Sequence, residues 1–264
     1  MIKRLKYYFR QLDKVLMQGL FEKTYIAIKE FPHLSKVSKK NSHKFDIYYS
    51  KNQHSQLAKL SDLYGSDKGE INPDLNPFHW ASHSYTDFYE MIFWQFRHHA
   101  SHVLECGIGT NNPDYDYSMG KEGKPGASLR MWKDYFPKAQ IYGLDIDQGA
   151  LFSEERIQTH QVDQTSSTSI QHFLDSIDKV NFDVIIDDGL HEFHAGICLF
   201  ENTIERLNTD GVYIIEDIPL SDLSKYADYF SLLAEKYLSR IINLRRPNLN
   251  LNDNSLIMIT KIND

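Results

Sequence analysis

The sequence has little cysteine and no long apolar run, and both facts narrow the class of protein. Its 264 residues include only two cysteines, Cys106 and Cys198, and their spacing is not typical of a metal site or a disulfide framework. We therefore expect two free thiols and a cytoplasmic location. No apolar stretch reaches the roughly 18–20 residues that span a bilayer. The amino terminus has no apolar core or cleavage site that would indicate a secretory signal.

The chain also lacks an overall basic charge. Its formal net charge is −7, although residues 1–44 carry 11 Lys/Arg against 3 Asp/Glu. The acidic remainder argues against nucleic acid as the main partner. Residues 1–32 have apolar side chains at helical spacing, which predicts a basic amphipathic helix. Packing on the domain or on a second copy of the chain is favoured for this helix, and weak contact with an anionic membrane surface is the alternative.

The sequence has no internal repeat and divides into two parts. We predict a basic helical extension over residues 1–55 and one large domain over residues 56–264. From His102 onward, short apolar runs alternate with helix-like segments. This alternation predicts an α/β fold with a Rossmann-like, doubly wound, mostly parallel sheet and helices on both faces. Ligands of such sheets bind at the carboxyl ends of the strands, so the residues that follow each strand are the candidate site.

The first predicted strand ends in the glycine-containing segment ECGIGT. Gly107 and Gly109 allow a tight turn and a close approach of the backbone to a ligand. A dinucleotide fingerprint would have a third glycine where the chain has Asn112, and the loop that follows is too long to bring a pyrophosphate to a helix amino terminus. A nicotinamide-dependent oxidoreductase is therefore the weaker alternative.

Polar residues after the next two strands suit a nucleoside. Asp145 ends an apolar strand, where a carboxylate can accept both ribose hydroxyls. Capping of a helix is the other role open to an acid at this position. Asp163 and Gln164 follow a short strand and are candidates to hydrogen-bond an adenine edge.

Carboxylates accumulate after the last two apolar strands, in VIIDDGLHE and YIIEDI. If these strands are neighbours, Asp187, Glu216 and Asp217 converge, and such a cluster is costly without a cation. Oxygen ligands suit Mg²⁺, or Mn²⁺ in its place. The sequence therefore predicts a divalent metal site, and helix capping by each acid is the alternative. His191 follows the first pair and suits a general base.

Together these motifs resemble class I S-adenosylmethionine-dependent methyltransferases. The resemblance is more specific to the metal-dependent sugar O-methyltransferases of macrolide biosynthesis, the macrocin and mycinamicin group, with cephalosporin hydroxylase-like relatives. It covers about residues 57–220. The segments that carry it are SDLYGSDKG (61–69), HSYTDFYE (83–90), GASLRMWKDYFP (126–137), IYGLDID (141–147), IIDDGLHE (185–192) and YIIEDI (213–218). Cys106 departs from the aliphatic residue that is usual in the family, and a small buried hydrophobe is tolerated there.

The resemblance implies a role for each strand-end residue. Residues implied to bind S-adenosylmethionine are Glu105, Gly107 and Gly109 at its methionine and ribose part, Asp145 at the ribose, Asp163 and Gln164 at the adenine, and Ser128 and Arg130 at its carboxylate. The implied metal ligands are Asp187, Glu216 and Asp217, with Asp188 as a supporting or alternative ligand. His191 is the implied base, and Asp187 also belongs to the implied catalytic pair.

The implied reaction is metal-assisted methylation of a hydroxyl on a sugar or sugar-like acceptor. The acceptor is open between a surface polysaccharide such as capsule, a nucleotide-linked sugar and a natural-product glycoside. An anionic acceptor would depend on the metal or on cations such as Lys68 and Arg130. Methylation of a small phosphate-derived group in capsule biosynthesis, a non-catalytic cofactor-binding scaffold and an iron-dependent hydroxylase are the alternatives. Lids are expected at residues 73–85 and 111–125, where His83, Tyr85 and Tyr117 either face the acceptor or pack the lid.

Overall fold

A computed structural model describes residues 25–27, 42–48, 50–115, 117–246 and 251–262 of the chain. The amphipathic helix predicted over residues 1–32 lies outside these ranges, except for Tyr25–Ala27. Those three residues form a β-strand, so the helix prediction is wrong at that point.

The described residues form ten strands and six α-helices. The strands are β1 (Tyr25–Ala27), β2 (Ser42–Tyr48), β3 (His102–Cys106), β4 (Gln140–Asp145), β5 (Ser153–Glu154), β6 (Ile157–Gln161), β7 (Phe182–Asp187), β8 (Leu207–Ile215), β9 (Tyr237–Arg245) and β10 (Ser255–Lys261). The helices are α1 (Gln56–Tyr64), α2 (Tyr85–Phe93), α3 (Ala127–Tyr135), α4 (Ser167–Ser176), α5 (Phe193–Thr203) and α6 (Leu223–Leu232). The longest of these helices has 11 residues, which is too short to cross a bilayer.

All ten strands belong to one sheet, in the order β1-β2-β9-β10-β8-β7-β3-β4-β6-β5. The central strands β8, β7, β3, β4 and β6 are parallel. The order reverses direction at β3, which pairs with β4 on one side and β7 on the other. This doubly wound α/β arrangement confirms the fold class predicted from the alternating apolar segments.

Helices cover both faces of the sheet because adjacent strand residues point to opposite faces. Val184 and Ile186 of β7 pack in one buried cluster with α1, α2 and α3, whose largest side chain is Trp132. Ile185 packs in a second cluster with α4, α5 and α6. We call these the α1–α3 face and the α4–α6 face. A strand that is buried on both faces has an uninterrupted apolar sequence. This explains the three apolar residues of β7, 184–186, directly before the acids.

Several elements were not expected from the sequence. Strands β9 and β10 and helix α6 lie beyond residue 220, where no structure was predicted. Strand β10 is antiparallel to both β8 and β9. Strand β2 falls in the predicted extension of residues 1–55, but it pairs in parallel with β9 as part of the sheet.

Candidate functional site

A cleft of about 480 Å³ lies at the carboxyl ends of the central parallel strands. Its walls come from the turn after β3, the ends of β4, β7 and β8, and two segments outside the parallel strands. Those segments are the loop between α1 and α2 and the turn before β10, which contributes Asp253. The cleft is at the position where doubly wound sheets bind ligands, because the strand order reverses there.

The turn after β3 forms the floor of the cleft and depends on glycine. Gly107 and Gly109 have φ values of +86° and +79°, which favour glycine. A Cβ atom on Gly107 would lie 1.9 Å from the carbonyl oxygen of Asp188, and one on Gly109 would lie 2.4 Å from the sulfur of Met119. The backbone therefore packs directly against the segment after β7 at Gly107 and against the Met119 side chain at Gly109, with no room for a side chain at either position.

Asp145 lines the same side of the cleft. Its Oδ2 accepts a hydrogen bond from the Ile108 N–H at 3.1 Å, and its Oδ1 accepts one from the Asp147 N–H at 2.9 Å. Burial raises the pKa of this carboxyl, and the backbone hydrogen bonds oppose that rise. These bonds aim the carboxylate into the cleft beside the glycine turn, which suits recognition of a diol.

Asp163 and Gln164 also line the cleft, but their polar groups are used differently. Asp163 accepts hydrogen bonds from the N–H and hydroxyl of Thr165, so it caps the start of the next turn. The Gln164 amide donates to Oδ1 of Asp187 at 2.6 Å and accepts from the Leu190 N–H at 2.9 Å. Gln164 therefore ties the end of β7 to the turn that follows it.

Glu105 is fully buried beneath the cleft. Its Oε2 accepts hydrogen bonds from Ser128 Oγ at 2.8 Å and Trp132 Nε1 at 3.0 Å. Burial raises the pKa of Glu105, against the opposing charge of Lys68. Ser128 reaches the cleft wall. Arg130 does not, because it pairs with Glu154 at 2.6 Å and stacks on another side chain away from the cleft.

The arrangement suited to a metal ion is formed by Asp188, His191 and Asp217, which each offer a ligand atom within 4.8 Å of the others. His191 Nε2 lies 3.3 Å from Oδ1 of Asp188 and 3.8 Å from Oδ2 of Asp217. His191 and Asp217 have φ values of +57° and +51°. Left-handed backbone at two non-glycine residues is unusual and concentrates at functional sites.

The electrostatics of this cluster are set by its buried carboxylates. Burial alone lowers the pKa of His191, but its hydrogen bond to Asp188 and the charge of Asp217 outweigh burial and raise the pKa to about 9. Burial raises the pKa of Asp217, while His83 and His191 oppose that rise. Burial also opposes ionisation of Asp188, yet Lys68 and His191 hold its pKa below the usual value. The negative charge of the cluster therefore favours a bound cation, and without one it favours protonation of His191.

The structure does not bring Asp187 and Glu216 into this cluster. Asp187 points to the α4–α6 face, where it accepts from Gln164, and burial raises its pKa to about 6. Glu216 points to the α1–α3 face, where Lys68 and the Tyr89 hydroxyl donate to its two oxygens. Of the three ligands expected from the sequence, only Asp217 lies beside His191, and Asp188 takes the neighbouring position.

Two of the three expected acceptor-side residues, Tyr85 and His83, lie around Asp217. The Tyr85 hydroxyl is 2.6 Å from Oδ1 of Asp217 and accepts a hydrogen bond from its N–H at 3.1 Å. His83 Nε2 is 3.5 Å from Asp217 and 3.4 Å from Asp253. Tyr117 lines the cleft and is 46% exposed, so it stands at the mouth.

Sequence reasoning missed several contributors to the cleft. Trp80 lines it, stacked on Phe78 at 4.6 Å between ring centroids, and its indole N–H donates to Asp67 at 2.8 Å. The sequence predicts Lys68 as a contact for an anionic acceptor, but its side chain is 2% exposed and surrounded by carboxylates. The sequence does contain one feature that points to Lys68, namely its position in a short loop between Gly65 and Gly69. No feature of the sequence points to Asp253, because its contact with His83 depends on strands beyond residue 220.

Comparison with curated proteins finds sugar O-methyltransferases. The chain is 36% identical over 165 residues to an 8-demethyl-8-alpha-L-rhamnosyl tetracenomycin-C 2'-O-methyltransferase of Streptomyces olivaceus, covering 62% of this chain and 38% of that protein. It is 35% identical over 164 residues to a mycinamicin VI 2''-O-methyltransferase of Micromonospora griseorubida, covering 61% and 36% respectively. These matches span less than two-fifths of the length of either relative. No protein-family model matches the chain.

Comparison with solved structures finds the same group. MycE methyltransferase from the mycinamycin biosynthetic pathway, in complex with Mg and SAH, is 27% identical with a TM-score of 0.54, covering 78% of this chain and 54% of that one. Its complex with Mg, SAH and mycinamycin VI is 25% identical with a TM-score of 0.55, covering 78% and 55%. These matches confirm the resemblance to sugar O-methyltransferases and the class I methyltransferase fold of the described domain.

Proposed function

We propose that this chain transfers a methyl group from S-adenosylmethionine to a hydroxyl of a sugar or sugar-like acceptor, with a divalent cation bound at the acceptor. One observation carries the proposal. A single cleft places the glycine turn and Asp145 on one side and Asp188, His191 and Asp217 on the other. Cofactor recognition and acceptor activation then occur side by side, as group transfer requires. The similarity to sugar O-methyltransferases supports this assignment.

The cofactor half of the proposal uses residues of β3 and β4. Asp145 accepts the ribose hydroxyls, and the turn at Gly107 and Gly109 passes close to the cofactor because neither residue carries a side chain. Asp163 and Gln164 border the adenine end, and Ser128 the methionine end. Glu105 supports this half from below by holding Ser128 and Trp132. Arg130 has no place in it, since its guanidinium is paired with Glu154.

The metal half uses Asp188 and Asp217 as ligands of Mg²⁺ or Mn²⁺. Two carboxylates facing an open cleft suit a hard divalent cation that completes its shell with water and substrate oxygens. The geometry favours Asp188 over Asp187 as the first ligand, and Asp217 over Glu216 as the second. A divalent cation held by these two residues would lower the pKa of an acceptor hydroxyl near it.

His191 is the proposed base for the acceptor hydroxyl. Its ring lies at the open edge of the cluster, with 39% of the side chain exposed, and Asp188 orients it through Nε2. His191 must be neutral to accept a proton, and a divalent cation held by Asp188 and Asp217 would lower its pKa by becoming their counter-charge. S-adenosylmethionine supplies an activated methyl group and a neutral leaving group.

The mouth of the cleft indicates a glycoside rather than an anion as acceptor. Phe78, Trp80 and Tyr117 provide aromatic surface for the apolar face of a sugar ring. Seven carboxylate residues line the cleft, namely Asp67, Asp145, Asp163, Asp188, Glu216, Asp217 and Asp253. A surface-polysaccharide sugar and a natural-product glycoside are the acceptor classes that fit this lining, and a nucleotide-linked sugar is the anionic class against which they are tested. Two free cysteines, Cys106 and Cys198, support a cytoplasmic reaction.

Calorimetry with S-adenosylhomocysteine tests the cofactor assignment. We expect saturable binding that Asp145→Asn weakens by at least about tenfold, because a carboxylate accepting two hydroxyls loses acceptor capacity as an amide. Asp147→Asn is the matched control, since Asp147 lies two residues away but caps a turn through Gly149 and Thr110. Absence of binding to the wild-type chain would refute the methyltransferase assignment.

A second titration tests the acceptor. A panel of neutral glycosides and nucleotide-linked sugars is added to the chain with S-adenosylhomocysteine, with and without Mg²⁺. We expect neutral glycosides to bind only with Mg²⁺, and Asp217→Ala to abolish that binding. Tighter binding of phosphorylated acceptors would contradict the preference inferred from the acidic lining.

A further inference from the structure

The turn before β10 reaches the metal side of the cleft from a distant part of the chain. Its residue Asp253 lines the cleft, and 48% of the side chain is exposed. Oδ1 of Asp253 lies 3.4 Å from His83 Nε2, and its backbone carbonyl oxygen lies 2.9 Å from the Tyr85 hydroxyl. The turn lies beyond residue 220, outside the segments that carry the family resemblance, so the resemblance assigns it no role.

The neighbouring residue Asn254 holds this turn in place. Its side-chain amide donates to the Leu244 carbonyl of β9 at 3.0 Å, and its Oδ1 accepts from the Ser84 N–H at 3.0 Å. Ser84 stands directly before α2, between His83 and Tyr85. Asn254 is only 4% exposed, and a buried amide that loses its partners is costly. These bonds therefore fix the position of the turn relative to the start of α2.

His83 and Tyr85 both contact the same oxygen of Asp217. The Tyr85 hydroxyl lies 2.6 Å from Oδ1 of Asp217, and His83 Nε2 lies 3.5 Å from it. The other oxygen, Oδ2, is the one that lies 3.8 Å from His191 Nε2. The rings of His83 and Tyr85 are buried and stacked, with centroids 5.0 Å apart and planes 9° apart. In such close packing neither ring turns without the other.

We propose that Asp253 is a positioning residue of the metal site, which holds His83 and Tyr85 against Oδ1 of Asp217 and so keeps Oδ2 of Asp217 directed at the divalent cation. The inference rests on the proposed function in assuming a divalent cation at Asp217. It adds to that site an element from the end of the sheet that the cofactor does not touch.

The sign of the expected effect follows from the contacts of His83. Its Nε2 lies between two carboxylates, and without Asp253 only Asp217 remains as a partner. The His83 ring then loses its anchor, and Asp217 gains freedom to rotate, which costs cation affinity. Loss of the Asp253 charge acts in the same direction, because a negative charge near the site attracts a cation. Both effects weaken cation binding.

The test is a Mn²⁺ titration followed by electron paramagnetic resonance on the wild-type chain, Asp253→Ala and Asp253→Asn. We expect Asp253→Ala to bind Mn²⁺ at least about tenfold more weakly, as is usual when a group that orients a metal ligand is removed. Asp253→Asn should lie closer to wild type, because an amide oxygen still accepts a hydrogen bond from His83. Wild-type Mn²⁺ affinity in Asp253→Ala would overturn the inference while leaving the methyltransferase proposal intact.

Asp67→Asn is the control for loss of charge. Asp67 is, like Asp253, a half-buried acid of the cleft wall that acts on His83 electrostatically. Its carboxylate, however, accepts from the Trp80 indole N–H, and an amide oxygen can do the same. We expect a change in Mn²⁺ affinity within about threefold, since a partly exposed charge is screened. Equal effects of Asp67→Asn and Asp253→Ala would assign the whole effect to charge and overturn the inference.

A double-mutant cycle tests whether Asp253 acts through His83. In a His83→Gln background, Asp253→Ala should change Mn²⁺ affinity by less than about threefold, because the residue that transmits its effect is already gone. The full effect of Asp253→Ala in that background would overturn the inference. S-adenosylhomocysteine affinity should remain at the wild-type value in every variant. A parallel loss of that affinity would show that the turn supports the whole cleft rather than Asp217, and would also overturn the inference.

The wild-type chain gives an independent readout if the variants do not fold. Coupling between two sites is reciprocal, so Mg²⁺ at Asp217 should slow hydrogen exchange of the backbone amides at residues 83–85 and 252–255. Unchanged exchange at 252–255 while Mg²⁺ binds would overturn the inference. A wild-type chain that binds neither Mg²⁺ nor Mn²⁺ would refute the metal half of the proposed function itself, and the inference would fall with it.

Discussion

The α-carbon of Gly107 faces the carbonyl oxygen of Asp188 so closely that a Cβ atom would lie 1.9 Å from it. This contact joins the turn after β3, which borders the cofactor side of the cleft, to the segment after β7, which carries the metal side. The two halves of the site share one backbone interface, and a change on one side must displace the other.

Gly107→Ala is expected to damage both halves together. Its φ of +86° strains any other residue, and the added methyl collides with backbone that cannot rotate away. We expect a loss of roughly 2–4 kcal/mol in the free energy of unfolding and weaker binding of both S-adenosylhomocysteine and Mn²⁺, measured by denaturant titration and calorimetry.

Gly120→Ala is the matched control for this experiment. Gly120 has a similar φ of +72°, but nothing lies within 4 Å of an added Cβ. The cost there should be about 1 kcal/mol, from backbone strain alone. Equal costs at the two positions would show that the Gly107 contact with Asp188 is unimportant.

Asp188→Asn and Asp187→Asn distinguish two candidate metal ligands that are adjacent in sequence. Asp188 Oδ1 belongs to the cluster with His191, whereas Asp187 is held by Gln164 on the α4–α6 face. We expect Asp188→Asn to weaken Mn²⁺ binding by at least about tenfold and Asp187→Asn to change it little. The opposite ranking would restore Asp187 as the ligand.

Metal binding is expected to depend on pH through His191. Without a metal its pKa is raised to about 9, so the ring is cationic at neutral pH and repels a divalent ion. The apparent affinity for Mn²⁺ should therefore rise with pH up to about 9, with release of a proton on binding. Calorimetry in buffers of different ionisation enthalpy measures that proton, and His191→Gln should reduce its release.

Asp187 is expected to make stability pH-dependent. Burial raises its pKa from 3.8 to about 6 in the folded protein, so the ionised form is disfavoured by folding. Its contribution to the free energy of unfolding is fully present below about pH 4 and is lost as the pH rises through 6. Asp187→Asn removes this ionisation, so the stability of the variant relative to wild type should increase by up to about 3 kcal/mol between pH 4 and pH 7.5.

Denaturant titrations of wild type and Asp187→Asn at several pH values test this prediction. Every other ionisable residue is shared, and burial is the largest cause of the raised pKa of Asp187, so the pH dependence of the difference reports mainly on this carboxyl. A difference in stability that stays constant with pH would mean that the Asp187 carboxyl titrates normally in the folded chain.

The architecture could be predicted from the sequence because it depends on local patterns. The apolar run at Val184–Ile186 is buried on both faces, and uninterrupted apolar strands alternating with helices specify a parallel sheet. Gly107 and the acids at the strand ends could likewise be identified as candidate site residues, because the chemistry of each residue type does not depend on distant partners. The later strands were not, since β9 and β10 complete the sheet through pairing with β2 and β8, which are distant in sequence.

Only the tertiary structure decided which acid of the pair Asp187–Asp188, and which acid of the pair Glu216–Asp217, lies beside His191. Asp187 is the last residue of β7 and shares a sheet face with Ile185, because side chains alternate along a strand. Glu216 directly follows β8, where its N–H still donates to the Asp187 carbonyl at 2.8 Å, and its side chain contacts Lys68 and Tyr89 on the opposite face. The two acids are therefore separated by the sheet, although both stand at the ends of adjacent strands. Asp188 and Asp217 escape this alternation because they lie in the turns beyond the strands. Sequence determined that carboxylates would gather at this edge, and the left-handed backbone at His191 and Asp217, together with the contact of Lys68 with Glu216, determined which of them lie beside His191.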